Sequence, residues 1–162
     1  FKKAKEHGLT TSLDTQWDPD ETWDLDLEAI LPHLDFFLPN EQELMNLTRT
    51  SSVEEALESL LPYQTVTVVK MGTRGAVMQA GGERTALPAY HVPDFADAIG
   101  AGDSFNAGFI HSYLNGKSLE ECLSFGNLTA AVSTTAYGGT AAIQSLDQVM
   151  EKAQELELNV IS

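Results

Sequence analysis

At 162 residues, of which 43% are hydrophobic and 20% charged, the chain has the composition of one folded domain and not of a disordered segment. Its 24 acidic residues against 9 Lys and Arg give a formal net charge of −15, which argues against nucleic acid or an anionic membrane as a partner. The lone Cys122 cannot form an internal disulfide, and no apolar run reaches the roughly 18 residues of a membrane span. We therefore expect a cytoplasmic protein.

The first half of the sequence alternates β-prone runs with helical patterns. Residues 1–7 are typical of the last turns of a helix that ends at Gly8, so we expect the chain to be the rear portion of a longer protein. Ser52 and Glu55 have the spacing of a capping box, which predicts a helix from that point through Leu61. Further strands are predicted at 9–13, 36–38 and 65–69, and further helices at 27–31 and 40–47. This alternation predicts an α/β fold with a largely parallel sheet.

The remainder of the sequence is predicted to hold a hairpin followed by helices. Strands at 76–79 and 84–87 flank the Gly81-Gly82 pair, which is a typical two-residue turn. Three helices are predicted after it, from the helical spacing of apolar residues at 105–114 and from the capping pairs Ser118/Glu121 and Ser145/Gln148. No repeat or long linker interrupts the sequence, so we expect residues 1–162 to be one portion of a single domain.

The segment Gly100-Ala101-Gly102-Asp103 stands directly before one of these helices. Small residues let the backbone approach a ligand, and the start of a helix aims unpaired N–H groups at it, so the turn can act as an anion hole. Asp103 would then stand beside a bound phosphate, placed to accept a proton from an attacking hydroxyl. The alternative is a first-turn carboxylate favoured by the helix dipole after a tight glycine turn, and spacing alone favours that alternative.

The pattern Asp-x-x-Gly-Ala-Gly-Asp-Ser-Phe at 97–105 closely resembles the signature of the ribokinase (PfkB-type) carbohydrate kinases. The resemblance implies that Asp103 is the catalytic base and that the turn at Gly100–Gly102 is the anion hole. It also implies that Asp97 helps to hold a monovalent cation such as K⁺. Ile99 stands where many family members have Thr, which weakens the prediction of the cation site.

A second resemblance concerns magnesium. Asn40 and Glu43 match the family's Asn-x-x-Glu motif, which orders Mg²⁺ and its waters near the phosphates. The alternative from the residues themselves is a plain capping box, with Asn40 as the N-cap and Glu43 as its partner. Without the resemblance, the capping box is the simpler interpretation.

The remaining resemblances concern the nucleotide. Lys70, Gly72 and Gly75 follow the strand at 65–69 as the family's nucleotide loop does, although a strand followed by Gly-x-x-Gly is usually just a hairpin. Asn127 matches a position near the adenine, where an ordinary buried Asn is an open alternative. The turn Tyr137-Gly138-Gly139-Thr140 matches one whose carbonyls contribute to the cation site, although a glycine-rich helix stop explains it too.

The resemblance implies a ribokinase-like three-layer αβα fold of which only the C-terminal half is present, without the N-terminal half and the lid. It implies ATP-dependent phosphorylation of a hydroxymethyl group on a sugar or related polyol, with Mg²⁺ and K⁺ as cofactors, and an exposed edge that a second copy could cover. Two alternatives stay open. One is a nucleotide-binding fragment without turnover, and the other is a dinucleotide-binding redox domain, which the absence of Gly-x-Gly-x-x-Gly after the first strand disfavours.

Overall fold

The computed structural model describes residues 1–139 and 141–155, which form seven α-helices and five β-strands. The helices are α1 (Lys2–Glu6), α2 (Leu27–Ile30), α3 (Glu41–Thr48), α4 (Val53–Ser59), α5 (Ala101–Leu114), α6 (Leu119–Ser133) and α7 (Leu146–Glu155). The strands are β1 (Ser12–Leu13), β2 (Phe36–Phe37), β3 (Val66–Lys70), β4 (Ala76–Ala80) and β5 (Glu83–Leu87). The described residues divide into two compact units, residues 1–71 with 77–86, and residues 72–76 with 87–139 and 141–155.

The sheet has the strand order β1-β2-β3-β4-β5. β1 pairs in parallel with β2, with Ser12 opposite Phe36, and β2 pairs in parallel with β3, with Phe36 opposite Val66. β4 and β5 are joined by only two glycines, both with positive φ, and a two-residue connection joins antiparallel strands. The predicted order of elements is confirmed, but β1 covers only two of the five residues predicted at 9–13.

The predicted helix starts at Ser52 and Ser118 are confirmed, but only one of the two capping boxes is complete. At Ser118 the capping box is complete, because its side chain accepts from the N–H of Glu121 and the Glu121 carboxylate accepts in return. At Ser52 only half of the box forms, with Ser52 Oγ accepting from the N–H of Glu55 at 3.2 Å. The Glu55 carboxylate turns instead to Ser51, whose N–H and hydroxyl donate to it at 3.1 and 2.8 Å. Ser51 offers two donors where the N-cap backbone offers one, and the helix ends at Ser59, short of Leu61.

Each unit has its own apolar core. The core of the first unit is formed by buried side chains from the 3₁₀ turn after α2, from β2 and β3, and from the inner faces of α3 and α4, namely Leu31, Leu34, Phe37, Leu44, Leu47, Val53, Ala56, Leu57, Leu60 and Val69. The core of the second unit joins α6 to α7 through Leu128, Ala131, Val132, Val149 and Ala153. Both residues of β2 are buried, as expected for an inner parallel strand.

Asp35 ties α1 to the start of the sheet. Its carboxylate accepts from Lys5 Nζ at 2.7 and 2.8 Å and from the N–H and hydroxyl of Thr11 at 2.8 and 3.1 Å. Partial burial by itself raises the pKa of the Asp35 carboxyl, but the bonds from Lys5 and Thr11 outweigh it and hold the pKa below its usual value. Since the folded pKa is depressed, the stabilisation is present above the ordinary carboxyl pKa and is lost as pH falls through the folded pKa.

We expect Asp35→Asn to lower the free energy of unfolding by about 1 kcal/mol at pH 7, because hydrogen bonds to a charged group are lost. The difference from wild type should shrink as pH falls below about 4, because Asp35 of the unfolded wild type is protonated first and that of the folded protein only at lower pH. Urea melts at pH 7 and pH 3 measure this, with Asp24→Asn as a control at an exposed carboxylate. A difference that stays the same at both pH values would contradict the prediction.

Candidate active site

The first group of polar side chains lies where the parallel strands end. Asp14 directly follows β1, Asn40 follows β2, and Lys70 is the last residue of β3. The carboxyl ends of parallel strands meet at one edge of a sheet, which is where α/β proteins bind ligands. Lys70 Nζ lies 2.9 Å from Asp14 Oδ1, and the N–H of Lys70 donates to the carbonyl of Pro39 at 3.0 Å. The Lys70 ammonium is therefore held at this edge by a carboxylate.

Asn40 and Glu43 form the complete capping box of α3. Asn40 Oδ1 accepts from the N–H of Glu43 at 2.9 Å, and Glu43 Oε2 accepts from the N–H of Asn40 at 2.9 Å. The hydroxyl of Thr15 also donates to Glu43 Oε2 at 3.2 Å, and Glu43 is only 5% exposed. The capping alternative is thus realised, and the magnesium role of the same two residues stays a prediction.

The side-chain oxygens of Asn40 and Glu43 suit magnesium only if water and a phosphorylated ligand supply the rest of its coordination shell. Across residues 1–139 and 141–155 no group of three or more His, Cys, Asp or Glu side chains could hold a metal ion. Mg²⁺ commonly uses one or two carboxylates together with waters and substrate phosphates. Glu43 can supply such a carboxylate, so the residues fit a magnesium ion that arrives with a phosphorylated ligand.

The second group of residues surrounds the start of α5. Gly100 is its N-cap, with φ of +73°, and gives the helix no side-chain cap. A Cβ at Gly100 would lie 2.8 Å from the Cα of Gly139, so only glycine fits this close approach. Within the described part of the chain, the N–H groups of Gly102 and Asp103 find no acceptor, whereas that of Ala101 donates to Ala98. Two N–H groups are therefore available to an anion.

Asp103 is the third residue of α5 and is exposed. In a capping box, the carboxylate at this position would accept a hydrogen bond from the N–H of the N-cap, as Glu43 and Glu121 do. No such bond to the Asp103 carboxylate is found among residues 1–139 and 141–155. The geometry therefore leaves the carboxylate available for a ligand beside the two N–H groups.

Asp97 joins two turns. Its Oδ1 accepts from the N–H of Ile99 at 2.9 Å and its Oδ2 accepts from the N–H of Gly138 at 3.2 Å. These two backbone donors hold the pKa of the Asp97 carboxyl below its usual value. The Ile99 side chain is 68% exposed and offers no oxygen, and Thr140 lies outside the described residues. The carboxylate at the predicted cation site is thus already engaged by backbone N–H groups.

Asn127 and Gly75 each contact the segment at 87–89. Asn127 is 5% exposed, and its Nδ2 donates to the carbonyls of Leu87 and Pro88 at 3.3 and 3.2 Å. Gly75, with φ of +89°, packs against the same segment, because a Cβ there would lie 2.5 Å from the carbonyl carbon of Pro88. The structure thus places Gly75 and Asn127 against the same segment, and an adenine contact by Asn127 stays a prediction.

Residues of α6 also hold the start of α5 in place. The hydroxyl of Thr129 donates to the carbonyl of Ser104 at 2.8 Å, and Gly126 packs against the ring of Phe105. Sequence reasoning missed Thr129, Leu87 and Pro88 because each acts through a partner far along the chain.

None of the described helices is long and apolar enough to cross a membrane.

Comparison with known proteins identifies the family. Residues 1–146 match the pfkB family carbohydrate kinase domain, which is most of the chain. The chain belongs to the pfkB family of carbohydrate kinases. This pfkB chain is 35% identical to an uncharacterized sugar kinase of Archaeoglobus fulgidus over 113 residues, 70% of the chain and 45% of that protein. It is 30% identical to the ribokinase of Bacillus subtilis over 124 residues, 76% of the chain and 41% of that protein.

Solved structures agree with this assignment. The ribokinase of Arabidopsis thaliana, complexed with ribose and ATP, superposes on 93% of the pfkB chain with a TM-score of 0.82 and 27% identity. The pfkB chain covers 49% of that structure. The predicted ribokinase-like α/β fold is confirmed, and the chain spans about half the length of the relatives it matches.

Proposed function

We propose that this chain supplies the nucleotide-binding and catalytic portion of a kinase that transfers the γ-phosphoryl group of ATP to a hydroxymethyl group of a sugar or related polyol. Both compact units belong to that portion in this proposal. The observation that carries it is the exposed Asp103 carboxylate beside the two N–H groups of Gly102 and Asp103 that find no acceptor in the described part of the chain. The family and the ATP and ribose of the Arabidopsis relative support the choice of nucleotide and acceptor.

In the proposed reaction the substrate hydroxyl gives its proton to the Asp103 carboxylate as its oxygen bonds to the γ-phosphorus. The bond between that phosphorus and the bridging oxygen breaks, and ADP leaves with the electron pair. At the turn that begins with Gly100, the N–H groups of Gly102 and Asp103 stabilise the charge on the transferring group. Positioning dominates such a reaction, since phosphoryl transfer leaves the protein little covalent work.

The nucleotide is proposed to contact Gly72–Gly75 and Gly100–Gly102 of the second unit, with Asn127 near the adenine. A phosphate contact by Lys70 of the first unit is a separate proposal. Asn40 and Glu43 would hold Mg²⁺, which neutralises charge on the phosphates when bound. The rigid α3 start and the Thr15 hydroxyl keep Glu43 Oε2 in one orientation. A cytoplasmic location and self-association belong to the same proposal.

A second candidate function is nucleotide binding without turnover. It is favoured by one observation, which is that the match covers less than half of the length of the two sequence relatives named above. Turnover by the chain as given, with a panel of sugars and polyols, separates the two functions. A dinucleotide-binding redox role has no support from the family.

Nucleotide binding is the first test. We expect saturable heat with millimolar ATP·Mg²⁺ in calorimetry, and we expect Gly100→Ala to weaken binding by about tenfold or more, because its Cβ meets Gly139 and distorts the turn. Gly116→Ala is the matched control, since Gly116 has the same positive φ of +74° with nothing within 4 Å. No heat with ATP·Mg²⁺, together with clear binding of NAD, would contradict the proposed function.

A further inference from the structure

The turn at Gly100–Gly102 is tied to a second glycine turn at 137–139 through one carboxylate. Asp97 stands three residues before the first turn and accepts from the N–H of Gly138 in the second, 41 positions away. Its other oxygen accepts from Ile99, immediately before Gly100. A single side chain thus fixes the backbone on both sides of the contact.

The two turns also touch directly. A Cβ at Gly139 would lie 3.1 Å from the carbonyl oxygen of Ile99 and 3.4 Å from the Cα of Gly100. Just before Asp97, the N–H of Ala96 donates to the carbonyl of Thr134 at 2.8 Å, at the C-terminal end of α6. The turn that begins α5 is therefore anchored to the segment that follows α6, by backbone contact and through Asp97.

This inference rests on the proposed function. We propose that Asp97 is a positioning residue, which holds the turn at Gly100–Gly102 in its phosphate-binding conformation by its bonds to Ile99 and Gly138. Each oxygen of the Asp97 carboxylate accepts a backbone N–H, one on each side of the contact between the two turns. Without the bonds of Asp97, the left-handed conformation of Gly100 would be weakly fixed, since glycine adopts many backbone conformations.

Asp97→Asn tests the proposal, because an amide keeps one acceptor oxygen and replaces the other with a group that cannot accept. We expect ATP·Mg²⁺ affinity to fall by about tenfold or more, to the same extent in potassium chloride and in choline chloride. We also expect amide hydrogen exchange of Gly138 or Ile99 to accelerate by about tenfold or more. Asp94→Asn, which removes an exposed carboxylate of the same segment, should change neither.

Gly139→Ala disturbs the contact between the two turns from the second turn. It should give the same two effects, a loss of ATP·Mg²⁺ affinity and faster amide exchange. Wild-type exchange and affinity in both variants would overturn the proposal. So would affinity that depends strongly on potassium in wild type while Asp97→Asn leaves the choline value unchanged, since Asp97 would then be a cation ligand. If wild type binds no ATP·Mg²⁺ in either salt, the proposed function fails, and the exchange rates alone decide whether Asp97 joins the turns.

Discussion

Asp103→Asn is expected to lower kcat for phosphoryl transfer by at least about 100-fold while ATP affinity changes little. Asn keeps the size of the side chain and removes the group that takes the proton from the attacking hydroxyl. The carboxylate is exposed and makes no capping bond within residues 1–139 and 141–155, so the fold should not depend on it. Turnover is measured in the chain or, where it belongs to a longer polypeptide, in that polypeptide, with affinity from calorimetry.

Asp147→Asn is the matched control for this variant. Asp147 is also an exposed carboxylate in the first turn of a helix, α7, so its removal costs the same interaction with the helix dipole. It should leave kcat unchanged. Near-normal turnover of Asp103→Asn, with folding like that of wild type, would show that Asp103 is only a favourable first-turn residue.

Local features of this fold were predictable because both partners lie within one helical turn. The capping boxes at Asn40 and Ser118 each join residues three positions apart, and the spacing alone indicated them. The same holds for the glycine turn before α5. Where two neighbouring donors compete, as Ser51 and Ser52 do for Glu55, spacing does not decide which one the carboxylate accepts from.

Long-range pairs of the candidate site were not predictable from one sequence. Lys70 and Asp14 are 56 positions apart, and Asn127 is 39 positions from Pro88. Each pair exists only because the tertiary fold brings its segments together, and no periodicity records that. The motif at 97–105 indicated which residues matter, whereas Thr129 and the bond from Gly138 to Asp97 came only from the structure.

Gly108→Ala is expected to lower the free energy of unfolding by about 1–3 kcal/mol, because it overpacks the contact between α5 and α6. A Cβ at Gly108 would overlap the hydroxyl of Thr129 and lie 3.0 Å from the carbonyl oxygen of Phe125, which is backbone and cannot rotate away. The effect should appear although alanine favours a helix by about 1 kcal/mol over glycine. Urea melts of the variant and of wild type measure it.

Two further variants separate steric overlap from helix propensity. Ala107→Gly, at the neighbouring exposed position of α5, measures propensity alone. Thr129→Ala removes both side-chain atoms that a Cβ at Gly108 would meet, at the cost of the bond to the Ser104 carbonyl. The double variant Gly108→Ala with Thr129→Ala should therefore be less destabilised than the sum of the single variants. Strict additivity, or a Gly108→Ala protein as stable as wild type, would mean that α5 and α6 do not meet at Gly108. Another contact would then have to hold the start of α5, and with it Asp103, in place.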